Sequence, residues 1–326
     1  MKVHILDDWF DTLRGLPCFR LLDGHEVTVW TDHVAEAAVL ADRLAEAEAL
    51  VLFRERTQVT RDLLQRLPNL RLISQRSVYP HVDVPACSEA GVLLCSNMHS
   101  DTPSYAAAEL TFGLILAAMR QIPAQMASAK AGHWQMGVGK TLRHRTLGLY
   151  GYGRIGREVA NYARAFGMKV VWWGSENGRA RALADGQTVA ASRAAFFAQS
   201  DVVSVHVRLK PETRGMITAQ DLARMQPGAL FVNTSRAGLI APGALLAALD
   251  AGCPGMAAVD VFDSEPLNDP NDPLLSHRNL ICTPHIGFVT EDEFDLQFTD
   301  IFEQVNAYAA GQPVHMINPE AWNGAA

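Results

Sequence analysis

Short apolar runs alternate with helix-spaced patterns from the first residues onward. Runs at 3–6, 27–30, 50–53, 70–74 and 92–95 predict strands, while 34–48 and 60–67 carry apolar residues at helical spacing. This alternation predicts a parallel sheet covered by helices on both faces. A longer helical pattern at 104–120 breaks the rhythm, 132–139 around Trp134 reads as an irregular connection, and a domain boundary is expected near 97–100. A second series predicts strands at 147–150, 169–173, 202–207, 230–233, 257–261 and 280–283. The last helical pattern, 291–310, has acidic residues in its first turn, where the helix dipole favours them, and no neighbouring strand of its own. The expected class is therefore α/β, with two doubly wound parallel-sheet domains and a cleft between them. Residues 1–99, completed by 290–326, form the first and residues 100–289 the second.

Composition narrows the partners without changing this picture. The length of 326 residues suits two domains, and 48% hydrophobic with 19% charged residues suits a globular chain with sizeable cores. A formal charge of -7 opposes general attraction to nucleic acid or an anionic membrane. Five scattered cysteines include no C-x-x-C pair, so reduced thiols are expected and a zinc site is not. Residues 1–10 show no export signal, and no apolar stretch is long enough to span a bilayer, so a cytoplasmic location is expected.

Candidate chemistry begins at Gly151-Tyr152-Gly153-Arg154-Ile155-Gly156, between a predicted strand and an apolar-periodic helix. Three glycines at this spacing are a weak signal alone. In strand-to-helix context they fit a dinucleotide: the first permits the turn, the second lets the backbone approach a pyrophosphate, and the third lets helix and strand pack closely. The next strand ends in Gly174-Ser175-Glu176. Glu176 suits the ribose hydroxyls of NAD, whereas Gly174, Ser175 and Arg179 leave room and charge for the 2′-phosphate of NADP, so the cofactor choice stays open.

Arg236, Glu265 and His285 follow three apolar strands of the second series at their C-terminal ends, the ligand-binding edge of open parallel sheets. At that edge a planar cation can hold a carboxylate and polarise a carbonyl under attack, a role Arg236 fits. The developing alkoxide needs a proton from a group that titrates near neutrality, a role for His285. A carboxylate on the other ring nitrogen, Glu265, would fix the tautomer and favour the charged donor. His206, between Val205 and Val207, reads as a wall residue rather than a competing base.

These residues carry a resemblance. The glycine motif, Val232-Asn233-Thr234-Ser235-Arg236-Ala237-Gly238, Asp260-Val261-Phe262-x-x-Glu265-Pro266 and Thr283-Pro284-His285-Ile286-Gly287 resemble motifs of the D-isomer-specific 2-hydroxyacid dehydrogenases, which include glyoxylate/hydroxypyruvate reductases and phosphoglycerate dehydrogenases. A fifth segment, from Val205-His206-Val207 through Pro211 and Thr213 to Gly215, is similar, and the match in order runs over roughly 70–290. The resemblance implies a Rossmann-type NAD(P) domain plus a flavodoxin-like substrate domain, and the same roles for Arg236, His285 and Glu265. It further implies that Asp260 orients the nicotinamide carboxamide and that His206, Val207, Thr213, Thr234 and Gly287 border the cofactor. It also implies a homodimer formed through the helix at 106–119 and the Trp134 connection.

One stretch departs from the family. Where members commonly present a glycine-rich substrate loop, this chain reads Gln75-Arg76-Ser77-Val78-Tyr79-Pro80-His81-Val82-Asp83. Ser77 and Val78 still offer amides to a carboxylate, while Arg76 and Tyr79 are expected to reach the substrate side chain. Two other functions fit parts of the pattern. A dinucleotide-sensing corepressor-like scaffold would use the fold without needing the Arg236, Glu265 and His285 set. A formate dehydrogenase-like enzyme would resemble a branch with glutamine where Glu265 stands.

Overall fold

A strand covered on both faces needs apolar residues at every position, and β1 (Lys2–Ile5), β3 (Ala49–Val51), β4 (Leu72–Arg76) and β5 (Leu93–Asn97) are almost wholly buried. The computed structural model describes residues 1–98 and 105–324. The expected boundary at 97–100 and the start of the helix expected at 104–120 fall partly outside these residues. The chain divides into two compact units, residues 1–103 with 289–326, and residues 104–288.

In the first unit, β2 (Glu26–Val29) and the other four strands run parallel in the order β2-β1-β3-β4-β5, the flavodoxin-like arrangement. One face buries Leu40, Leu44, Leu63, Leu67, Ile73 and Leu94 beneath short helices. Two of these, Arg61–Gln65 and Val84–Glu89, start at side-chain caps from Thr60 and Asp83. The tail helix Glu291–Ala309 packs on this unit. Its Phe294 and Phe298 rings meet Phe53 at 5.0 and 4.8 Å, and Ser74 Oγ donates to the Ile301 carbonyl at 2.8 Å. Beyond it, Met316 forms an antiparallel bridge with Cys95, an edge contact that the apolar pattern does not show.

In the second unit, β6 (Thr146–Tyr150), β7 (Lys169–Trp173), β8 (Val202–Val205), β9 (Leu230–Asn233), β10 (Met256–Val259) and β11 (Leu280–Cys282) form a parallel sheet ordered β11-β10-β9-β8-β6-β7. A parallel bridge from Trp172 to Val189 adds one residue pair beyond β7. Counted as a strand reduced to its minimum, it completes the Rossmann order, with the reversal point beside β6. Helix Ala106–Met119 buries Ala108, Phe112, Ile115 and Met119 against this sheet and the helix Arg154–Ala165. Gln121 then turns left-handed, φ 56°, and a separate helix Ile122–Lys130 begins with Pro123 in its first turn, where the missing amide is harmless. No helix among the described residues is long and apolar enough to cross a membrane.

Candidate active site

Because all six strands of the second unit run parallel, the segments following them emerge at one edge of the sheet. That edge carries the glycine turn after β6, Gly174 after β7, His206 after β8, Arg236 after β9, Glu265 after β10 and His285 after β11.

The three glycines of the turn are required for different reasons. Gly151 has φ +111°, and a Cβ there would lie 2.3 Å from the His206 carbonyl and 3.0 Å from Val207 Cγ2. At Gly156 a Cβ would meet the Gly151 carbonyl at 3.0 Å and Trp172 at 3.2 Å, so helix and strand need its bare backbone. Gly153 is different: a Cβ there meets nothing within 4 Å, and its φ of -114° suits any residue. Nothing inside the chain asks for glycine at that position. Close approach of a ligand's pyrophosphate to the backbone does, and this is how the turn fits a dinucleotide. Arg154 and Ile155 open the helix, with Arg154 exposed.

His206 follows directly on β8. Its Nε2 pairs with Ser204 Oγ at 2.9 Å, and burial pushes the imidazole down to about 4, so it stays neutral at working pH. Thr213 closes a tight turn by accepting from the Lys210 amide and donating to the Arg208 carbonyl, each at 2.8 Å. Thr234 Oγ1 bonds Thr111 Oγ1 at 2.6 Å.

After β9, buried Asn233 pins the backbone: its Nδ2 donates to the Arg236 carbonyl at 2.9 Å, and its Oδ1 accepts from the Ser235 amide at 3.0 Å. Arg236 Nη1 donates to the Ser235 carbonyl at 2.7 Å. After β10, Glu265 accepts twice, through Oε1 from the Phe262 amide at 2.8 Å and through Oε2 from His285 Nδ1 at 2.5 Å. Burial alone would raise the Glu265 carboxyl. The His285 hydrogen bond, the Phe262 amide and the charges of His285 and Arg236 outweigh it and hold the group below its ordinary range. Pairing Nδ1 with a carboxylate leaves His285 Nε2 to exchange a proton.

Asp260 holds the segment that carries His285. Fully buried, it accepts from Thr283 Oγ1 at 2.5 Å and the Ile286 amide at 2.8 Å through Oδ1, and from the Gly287 amide at 2.9 Å through Oδ2. Burial raises its carboxyl despite these three donors. A Cβ on Gly287 would stand 3.1 Å from Oδ2, which explains the glycine. His285 itself has φ 55°, a left-handed conformation that this clamp and the Glu265 bond maintain. Phe288 meets the His285 ring edge-on, centroids 5.6 Å apart, a contact the motif reading missed because Phe288 lies just beyond the matched residues.

In the first unit, Gln75 organises the glycine-poor loop, its Nε2 donating to the Ser77 carbonyl at 3.0 Å and Ser96 Oγ at 2.9 Å. Ser77 takes φ 78°, the backbone form usually given to glycine. Arg76 Nε pairs with Asp300 at 2.9 Å, with only 10% of the Arg76 side chain exposed, and Tyr79 packs against the core. Both side chains expected to reach substrate are thus engaged within their own unit, whereas the Val78 amide has no backbone partner among the described residues.

Residues 112–287 match the family described as D-isomer specific 2-hydroxyacid dehydrogenase, NAD binding domain. The chain is 31% identical over 314 residues to a glyoxylate reductase of Thermococcus litoralis, covering 91% of each chain. It is 36% identical over 276 residues to a D-3-phosphoglycerate dehydrogenase of Methanocaldococcus jannaschii, covering 84% of this chain and 52% of that one. The chain thus spans about half the length of that relative. The crystal structure of a phosphoglycerate oxidoreductase from Vibrio cholerae O395 superposes with a TM-score of 0.89 at 47% identity, covering 95% of this chain and 99% of that one. With its matched segment exceeding half of its length, the chain belongs to the D-isomer specific 2-hydroxyacid dehydrogenase family.

Proposed function

We propose that this chain interconverts a small 2-oxo acid and its 2-hydroxy acid with NAD(H) or NADP(H). The observation that carries the reading is the His285–Glu265 bond, 2.5 Å, at the ligand-binding edge of the sheet, with the Arg236 charge close enough to act on Glu265. When bound, the cofactor supplies or accepts the hydride. The residues from Gly151 to Gly156 hold its pyrophosphate, the segment Gly174 to Glu176 faces its ribose, and His206, Val207, Thr213 and Thr234 border it.

Arg236 binds the substrate carboxylate and polarises the carbonyl. Guanidinium donors suit that planar anion and cannot lose their charge. His285 Nε2 gives its proton to the carbonyl oxygen during reduction and takes it back during oxidation. Glu265 fixes the ring orientation through Nδ1, which leaves Nε2 facing the reacting oxygen. Asp260 keeps His285 in place through the Ile286 and Gly287 amides.

The first unit is assigned to substrate, with the Val78 amide as a carboxylate donor; the Ser77 amide, expected to share that role, already donates to the Asn97 carbonyl at 3.1 Å. Residues 104–288 are assigned to the dinucleotide. Helix Ile122–Lys130 buries no residue, and Met126, Trp134 at 76% exposure and Val138 at 90% continue its apolar surface. This surface around the Trp134 connection is the arm through which a two-fold homodimer is assigned; helix Ala106–Met119, expected to share in it, buries most of its apolar residues within its own unit. All five cysteines are free, which suits a cytoplasmic location.

The test is to follow NADH and NADPH absorbance with glyoxylate, hydroxypyruvate, pyruvate and bulkier 2-oxo acids, for the parent and for His285→Ala. Oxidation that disappears in the variant supports the reading. Cofactor binding without turnover on any 2-oxo acid contradicts it and favours a sensing scaffold.

A further inference from the structure

A dinucleotide-dependent dehydrogenase must take one form of its cofactor or the other, and the choice, which rests on the function proposed for this chain, is made where the adenosine ribose sits. An enzyme for NAD holds that ribose with a carboxylate at the end of the second strand, where it accepts from the 2′-hydroxyl. Here β7 ends at Trp173, and the next residue is Gly174 with φ +154°, a conformation L side chains rarely adopt. The position cannot simply exchange glycine for aspartate. The first side chain after the strand is Ser175, whose Oγ accepts from the Gly178 amide at 3.2 Å and caps the helix Glu176–Ala184.

Arginines surround this turn. Arg179 folds back to donate through Nη1 to the Gly174 carbonyl at 2.9 Å, with its guanidinium 4.3 Å over the Trp173 ring. Nε and Nη2 have no protein partner among the described residues, so a charged, half-buried fork lies on an aromatic face beside the strand end. Arg181 Nη2 donates to the Tyr152 carbonyl at 3.2 Å, tying this helix to the glycine turn, and exposed Arg154 starts the helix beyond that turn. Two carboxylates oppose them. Asp185 accepts the Tyr152 hydroxyl at 2.5 Å, and Glu176 is exposed with no hydrogen-bond partner among the described residues. Nothing holds Glu176 toward a ribose, whereas Arg179 is held in place by two contacts.

We propose that the turn Gly174-Ser175 and the Arg179 guanidinium receive the 2′-phosphate of NADP(H), so that the chain takes the phosphorylated dinucleotide in preference to NAD(H). A planar fork with a fixed face is the donor type that phosphate oxygens select, and the glycine leaves space for the extra group.

Calorimetric titration of the whole protein with NADPH, NADH, 2′,5′-ADP and 5′-AMP tests this without turnover. NADPH should bind at least about tenfold tighter than NADH, with the same order for 2′,5′-ADP over 5′-AMP. Arg179→Ala should weaken NADPH about tenfold and leave NADH within about twofold. Ser175→Asp keeps a capping side chain and should reverse the preference by setting a negative charge against the phosphate. Equal or tighter binding of NADH, or an unchanged ratio in both variants, overturns the proposal while leaving the dinucleotide reading intact. Failure of both dinucleotides to bind overturns the two together.

Discussion

Replacing Glu265 by glutamine removes one charge and almost nothing else. The amide oxygen still accepts from the Phe262 amide, which now bonds Oε1 at 2.8 Å, so the turn after β10 should keep its form. What is lost is the charge facing His285 Nδ1 across 2.5 Å. Unit charges about 4 Å apart interact by about 4 kcal/mol at an effective dielectric near 20. The two side chains are 28% and 34% exposed, so solvent screening reduces this to about 2 kcal/mol, the range of a charge-assisted hydrogen bond. The His285 bond and the Phe262 amide hold the Glu265 carboxyl low despite burial, so the charge that orients the ring persists until pH falls through that depressed value. Glu265→Gln should therefore slow reduction by about thirtyfold near neutral pH. The parent should lose the benefit of the pair on the acid side, as pH falls through the depressed Glu265 value; the variant has no such loss. Steady-state rates across pH 5–9, with circular dichroism to confirm the fold, provide the assay. A loss below about threefold, or an acid-side decline that persists in the variant, would refute the claim that the Glu265 charge supports proton transfer by His285.

Gly151→Ala places a Cβ 2.3 Å from the His206 carbonyl at a φ of +111° and should cost at least about 3 kcal/mol in urea denaturation, whereas Gly153→Ala should leave stability within about 0.5 kcal/mol and weaken dinucleotide binding in calorimetry. His206 has its imidazole lowered from 6.5 to about 4, so the unfolded chain takes up a proton first and stability should fall by about 3 kcal/mol between those two pH values; the slope of the urea midpoint with pH should flatten in His206→Asn. Arg76→Ala should destabilise by about 2 kcal/mol because it strands Asp300 beside a largely buried site, while unchanged stability with altered selectivity among 2-oxo acids would return Arg76 to the substrate.

Most strands were legible because a strand buried on both faces reads as an uninterrupted apolar run; β7 and β9 lie at the predicted residues, and the others shift by one or two. Elements that draw on something other than periodicity were not. The minimal strand at Val189 is a single bridge, too short to leave a pattern, and helix Ile122–Lys130 has no buried stripe to produce one. The short 3-10 segments between Leu13 and Leu22 were missed for the same reason. At the candidate site, strand ends pointed to Arg236, Glu265 and His285, since parallel strands gather their C-terminal ends at one edge. The bond between Glu265 and His285 became visible only in the structure. The Asp260 clamp was hidden, because a carboxylate holding amides 26 and 27 residues away leaves no local trace. Ser77 concealed its left-handed backbone because glycine is the residue that normally announces one.

The most direct test of the central claim is to supply the dinucleotide, in whichever form binds, with deuterium at the transferable position of its reduced ring, and to look for the label in the product of a 2-oxo acid by NMR. The account predicts deuterium at C2 of the 2-hydroxy acid with the parent protein, and its loss in His285→Ala at undiminished cofactor binding. No label at C2 with any 2-oxo acid, or equal labelling rates in parent and variant, would contradict it.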